Sequence, residues 1–136
     1  MAANTAPIYS KVGVIAWATL TAANTAKDGT GTTGTIFTAD ATNGGRVEKV
    51  KVRALGTNVA TVLRIFINNG SSSATAANNT LFMEVTCAAT TLSEVAALAD
   101  IEVLLNLVLP PGYKLLVAIG TTVAAGLAVT AVGGAY

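Results

Sequence analysis

Residues 101–109 read Ile-Glu-Val-Leu-Leu-Asn-Leu-Val-Leu and run straight into Pro110-Pro111-Gly112. A period of two puts Ile101, Val103, Leu105, Leu107 and Leu109 on one face and Glu102, Leu104, Asn106 and Val108 on the other, which is the signature of a strand. The prolines end it, because neither can donate a ladder hydrogen bond, and Gly112 permits a sharp reversal. Seven further segments share this short, β-branched character: 11–21, 33–39, 46–55, 60–68, 80–88, 113–120 and 126–132. Segments 23–34 and 68–80 are rich in Gly, Asn, Ser and Thr and are expected to be loops. The chain is therefore expected to be all-β, an eight-stranded two-sheet sandwich over residues 11–136 preceded by an amino-terminal arm, 1–10. Among eight-stranded solutions the jelly roll is favoured. An immunoglobulin-like sandwich fits less well, since one Cys and a Trp in the first strand do not supply that fold's Cys, Trp, Cys framework.

Two segments allow finer expectations. In 46–55, Val50, Val52 and Ala54 alternate with Lys49, Lys51 and Arg53, but Val47 breaks the parity. Either a bulge near Glu48 and Lys49 or a strand start at Lys49 accounts for this. Segments 60–68 and 80–88 pair well antiparallel in one register, in which Arg64 faces Glu84, Phe66 faces Phe82 and Val62 faces Thr86. The opposite side then joins Leu63, Ile65 and Ile67 to Val85, Met83 and Leu81. Each such pair contributes about 0.2–1 kcal/mol, and a one-residue slip loses them all.

Charge distribution suggests one more pairing. Arg46 to Arg53 carries four bases and one acid, while Glu94 to Glu102 carries three acids and no base. If segments 46–55 and 101–109 are neighbours, Glu102 opposes Lys51 or Arg53; otherwise these charges face another subunit. Thr91-Leu92-Ser93-Glu94 has the spacing of a helix-capping box, so a short helix over 91–98 competes with an extended loop.

The residues that usually carry chemistry are scarce. The chain has no His, which removes the commonest general base and metal ligand and the Ser-His and Cys-His nucleophiles. The single Cys87 can form neither an intramolecular disulfide nor a Cys-based zinc site, and it continues the apolar face of Leu81, Met83 and Val85, so a buried, inert thiol is expected. Gly29-Thr30-Gly31-Thr32-Thr33-Gly34 matches G-x-G-x-x-G but lacks the strand, helix and βαβ context of a phosphate loop, and reads as a loop tip. Asp28 and Asp40 are too sparse for a Ca²⁺ site, and with one Trp and three Tyr the aromatic platform a glycosidase-type carboxylate pair needs is thin. No catalytic residue, cofactor or metal is expected.

Charged residues make up 11% of the chain and the net charge is +1, too little for a nucleic-acid footprint. Val12 to Leu20 imitates a signal-peptide core behind a single positive charge, and 115–136 is uncharged over a bilayer-spanning length. The first reads better as a strand, and the second, interrupted by Gly and Thr, as two strands and a turn. Neither a nucleic acid nor a membrane is an expected partner. More than half of the 136 residues are Ala, Thr, Val or Gly. Apolar side chains on the second face of 101–109 mean that this strand is either covered on both sides within the fold or supplies a surface that another subunit covers, and the low charge of the chain favours the second. Leu104, Val108, Trp17, Ile8, Tyr9 and Tyr136 are the candidate subunit contacts, with a core anchor as the alternative for Trp17 and the arm expected to lie against a neighbour.

Leu63-Arg64-Ile65-Phe66-Ile67-Asn68-Asn69-Gly70, Leu107-Val108-Leu109-Pro110-Pro111-Gly112-Tyr113-Lys114-Leu115 and the ending Val129-Thr130-Ala131-Val132-Gly133-Gly134-Ala135-Tyr136 resemble small virion structural proteins of tailed bacteriophages. Within that group the chain is most similar to jelly-roll head decoration, or cement, proteins. The resemblance covers most of the chain from about residue 30 and is one of style and segment order, without a diagnostic motif. It implies a non-enzymatic homo-oligomer, a trimer, made in the host cytoplasm and seated on the outer capsid surface of the virion, where it bridges major capsid protein subunits. A tail or baseplate protein, or a receptor- or glycan-binding module, is the alternative.

Overall fold

The computed structural model describes residues 10–136. Ile8, Tyr9 and all but the last residue of the expected arm lie outside the described residues. Eight strands follow in order: β1 Val12–Leu20, β2 Gly34–Thr38, β3 Gly45–Ala54, β4 Thr61–Asn68, β5 Asn79–Cys87, β6 Ile101–Leu109, β7 Lys114–Ile119 and β8 Leu127–Ala135. They form two four-stranded antiparallel sheets, β1-β8-β3-β6 and β2-β7-β4-β5. This is the jelly-roll order, and every connection except β4–β5 crosses from one sheet to the other. Pro110-Pro111-Gly112 makes one of those crossings. No helix among the described residues is long and apolar enough to span a membrane.

The core lies between the sheets and is filled by Val47, Val50 and Val52 of β3, Leu63 and Ile65 of β4, and their partners on β7 and β8. Against β8 the β3 register shifts between Val47 and Lys49 with Glu48 as the extra residue, so Val47 points inward with Val50 and Val52; against β6 the same pair meets an extra residue on β6 itself. Ile36 of β2 sits at a similar shift, which buries the adjacent Ile36 and Phe37 together. On β6, Asn106 has φ +46°, a left-handed conformation that Asn tolerates better than most residues, and its Oδ1 accepts a hydrogen bond from Arg46 Nη2 at 3.0 Å.

Two sequence expectations are corrected and one open alternative is decided. Arg64 faces Glu84, but a shift between Ile65 and Phe66 skips Phe82, so Phe66 pairs with Leu81 and Ile67 with Thr80. Phe66 is fully buried, whereas Phe82 stands 44% exposed. Segment 91–98, open from sequence between a short helix and a loop, is a loop that bends at 94–96: the Leu92 amide donates to Thr57 Oγ1 and the Thr90 amide to the Asn58 carbonyl, which hold it against the β3–β4 loop. β8 continues to Ala135 instead of ending at 132, because Gly133 and Gly134 are places of close approach and not a stop. A Cβ on Gly133 would overlap the Arg46 carbonyl oxygen, and one on Gly134 would overlap Ser10.

Gly133→Ala would thus drive a methyl group into the backbone of the central strand. It is expected to lower stability by about 1–3 kcal/mol. Gly13→Ala, whose Cβ would meet nothing within 4 Å, is the control and should stay within about 0.5 kcal/mol. Urea unfolding midpoints of the two variants at unchanged m-value check this.

Candidate interaction surface

The two sheets treat their outer faces differently. On β2-β7-β4-β5, Phe66, Leu116 and Ala118 form a second small apolar cluster with Leu81, all three of the former buried although they point away from the main core. The segment joining β1 to β2 lies against this sheet at two points: the Asn24 amide donates to the Ile119 carbonyl, and Asn79 Nδ2 donates to the Asp28 carbonyl. Asn79 also donates to the Ser73 carbonyl, and its Oδ1 accepts from Asn68 Nδ2 at 2.7 Å. The two loops expected from sequence therefore meet at Asn79, with Asn68 buried beneath.

The outer face of β1-β8-β3-β6 has no such cover from the described loops. Cross-strand registers place Ile15, Val132, Lys49 and Leu104 in one row and Trp17, Thr130, Lys51 and Glu102 in the next. Gly13, Gly134, Arg46 and Val108 make a third. Ile15 is 61% exposed, Trp17 68%, Leu104 69% and Val108 57%. Trp17 is thus a surface residue and not part of the core. Tyr136 is half-buried beside this sheet's end, its amide 3.5 Å from the Gly44 carbonyl.

Between the apolar flanks, the outward positions of β3 are basic apart from Glu48 in the bulge, and acids from β6 and the link before it pair with three of these cations. Lys49 Nζ lies 3.3 Å from Glu102 Oε1, Lys51 Nζ 3.1 Å from Asp100 Oδ2, and Arg53 Nη1 3.4 Å from Asp100 Oδ1. Lys51, Glu102's cross-strand neighbour, thus pairs with Asp100, which serves two cations. The hydrogen bond from Lys51, with Arg53 adding to it, holds the Asp100 carboxyl below its ordinary range. These pairs are half-exposed, so each adds little stability by itself. Asp100 and Ile15 were not singled out as candidates from sequence. The alternation Gly13, Ile15, Trp17, Thr19 against Val14, Ala16, Ala18, Leu20 was the available signal for Ile15.

Other candidates hold no chemistry together. Asp28 accepts from the Thr30 hydroxyl and amide, which lower its pKa, and Asp40 accepts from the Thr42 and Asn43 amides. Both carboxylates close turns. Among the described residues no three His, Cys, Asp or Glu gather to hold a metal. Gly29 and Gly31 take positive φ in a turn with no helix after it. Burial pushes the Cys87 thiol up, and it lines an apolar cavity of about 230 Å³ between the sheet edges with Val52, Ile101 and Leu127.

Arg64 has a side chain only 12% exposed, and its Nε is 3.5 Å from Glu84 Oε1. Nε and Nη1 are buried without a hydrogen-bond partner. Leaving such donors unmatched costs more than the long ion pair returns. Arg64→Met is therefore expected to be neutral or about 1 kcal/mol stabilising by thermal or urea unfolding, because Glu84 remains solvated. A loss above about 1 kcal/mol would mean the guanidinium is well bonded in solution.

Compared with protein-family models, curated proteins and solved structures, the chain matches none.

Proposed function

We propose that this chain is a non-enzymatic structural protein of a virus particle, a decoration or cement protein that braces major capsid protein subunits on the outer surface of a tailed-phage head. The observation that supports an assembly role is the outer face of the first sheet, where exposed Ile15, Trp17, Leu104 and Val108 flank cations of which three are already paired with Glu102 and Asp100. A surface of that kind gains from being covered by protein, since its apolar side chains lose water and its ion pairs keep their partners. Duplex nucleic acid would instead need cations free to replace counterions, and three of the four on this face are paired. The phage setting is supported by the segments of resemblance alone. A tail or baseplate position uses the same face in the same way.

A second reading is favoured by the meeting of the 24–33 and 69–79 loops at Asn79, which brings Asn, Ser and Thr groups together at one end of the sandwich. Such an end suits a host glycan or receptor. Particles with and without this chain separate the two readings. For a cement protein, removal lowers the temperature at which heated heads release DNA to a dye, and adsorption to host cells is unchanged. Unchanged heat release together with lost adsorption after replacement of 69–79 would overturn the cement reading in favour of the binding module.

A further inference from the structure

We infer that the exposed face of β1-β8-β3-β6 is a self-complementary contact through which two copies of this chain pack sheet against sheet about a two-fold axis parallel to the strands. The argument comes from the order of the columns. Outward side chains run from apolar on β1 (Ile15, Trp17) through neutral on β8 (Val132, Thr130) to basic on β3, and end with Leu104 and Val108 on β6. An axis parallel to the strands, between β8 and β3, keeps each row level and exchanges the columns. β1 of one copy then lies over β6 of the other, and β8 over β3.

Because Ile15 and Leu104 occupy the same row, this rotation places them against each other, twice per dimer. Trp17 comes over Glu102, whose charge Lys49 of its own chain already balances. Lys49 meets Val132 and Lys51 meets Thr130, so the basic column never faces its own copy. An axis perpendicular to the strands would lay β3 on β3, with Arg46, Lys49, Lys51 and Arg53 against the same four residues. Like charges held together in that way oppose association. Charge order thus selects one closed arrangement.

Size is compatible with a stable pair. Four strands about 4.8 Å apart and roughly 30 Å long offer a face of roughly 570 Å². Two such faces bury roughly 1,100 Å², just above the ~1,000 Å² that separates specific contacts from incidental ones. Sheets packed face to face stand about 10 Å apart, a gap that Ile15, Trp17 and Leu104 side chains fill. The contact is isologous, so it yields a dimer, unlike the three-fold assembly that the phage resemblance implies.

Sedimentation equilibrium and light scattering of the full chain at tens of micromolar should report a dimer. Ile15→Asp and Leu104→Lys, each at an exposed position and checked for folding by circular dichroism, should weaken it by about 30-fold or more. Mixing the two variants is the decisive step. A heterodimer about this axis sets the introduced carboxylate of one variant against the introduced ammonium of the other, and its second contact is the native one between Ile15 and Leu104. Dimer recovery on mixing supports the axis. A monomeric or trimeric wild-type chain, or folded variants that do not recover on mixing, would overturn it. Those outcomes leave the cement reading to its own test on particles.

Discussion

Glu48 lets a strand with two incompatible parities serve one core. Without an extra residue there, Val47 would point outward when Val50 and Val52 point inward, and the middle of the first sheet would lose a buried side chain. The bulge is transmitted to both neighbours. β6 answers with the left-handed Asn106, bonded to Arg46, and β8 answers with Gly133, where the displaced Arg46 carbonyl leaves no space for a Cβ. A side-chain requirement at one position thus fixes backbone choices on two other strands.

The same local geometry sorts charge from apolar surface. Once β3 resumes its alternation after Glu48, Lys49, Lys51 and Arg53 are forced outward, within reach of Glu102 and Asp100. Three of the four cations are paired within the face, and the most exposed side chains at its margins are apolar. The other sheet solves the opposite problem with a loop: its outward Phe66, Leu116 and Ala118 are buried where the β1–β2 link meets the sheet. The two faces of one sandwich are therefore finished differently, one closed by the chain itself and one left open among the described residues.

Much of this was legible in the residues. Alternation located all eight strands, the loops were read from Gly, Asn and Ser clusters, and the oddity at Val47 pointed to Glu48 as one of two explanations. Arg64 found Glu84 because opposite charges mark a register. Phe66 did not find Phe82 because Leu81, Phe82 and Met83 are all apolar, and a skipped residue in such a run leaves no trace in its periodicity. Gly133 and Gly134 imitated a terminator, since the reason for a small residue lay on another strand. Thr91 to Glu94 imitated a helix start, yet long-range bonds from Thr57 and Asn58 decided its conformation. Trp17 was open to a core or a surface role, and only the register of β1 against β8 placed it outside. In each case the missing information was tertiary.

The pairing of β1 with β8 also bears on how the chain comes into being. β1 is made before the other strands of the sandwich, but its ladder partner among the described residues, β8, is made after them. With all connections but β4–β5 crossing between sheets, local contacts contribute little, and loop-closure entropy must be met before most pairs form. The β4–β5 hairpin is the natural place to begin, and the first sheet can close only once β8 has been made. A chain with so few charges then spends its synthesis with apolar strands unpaired, so how fast β8 arrives governs how much of it escapes aggregation.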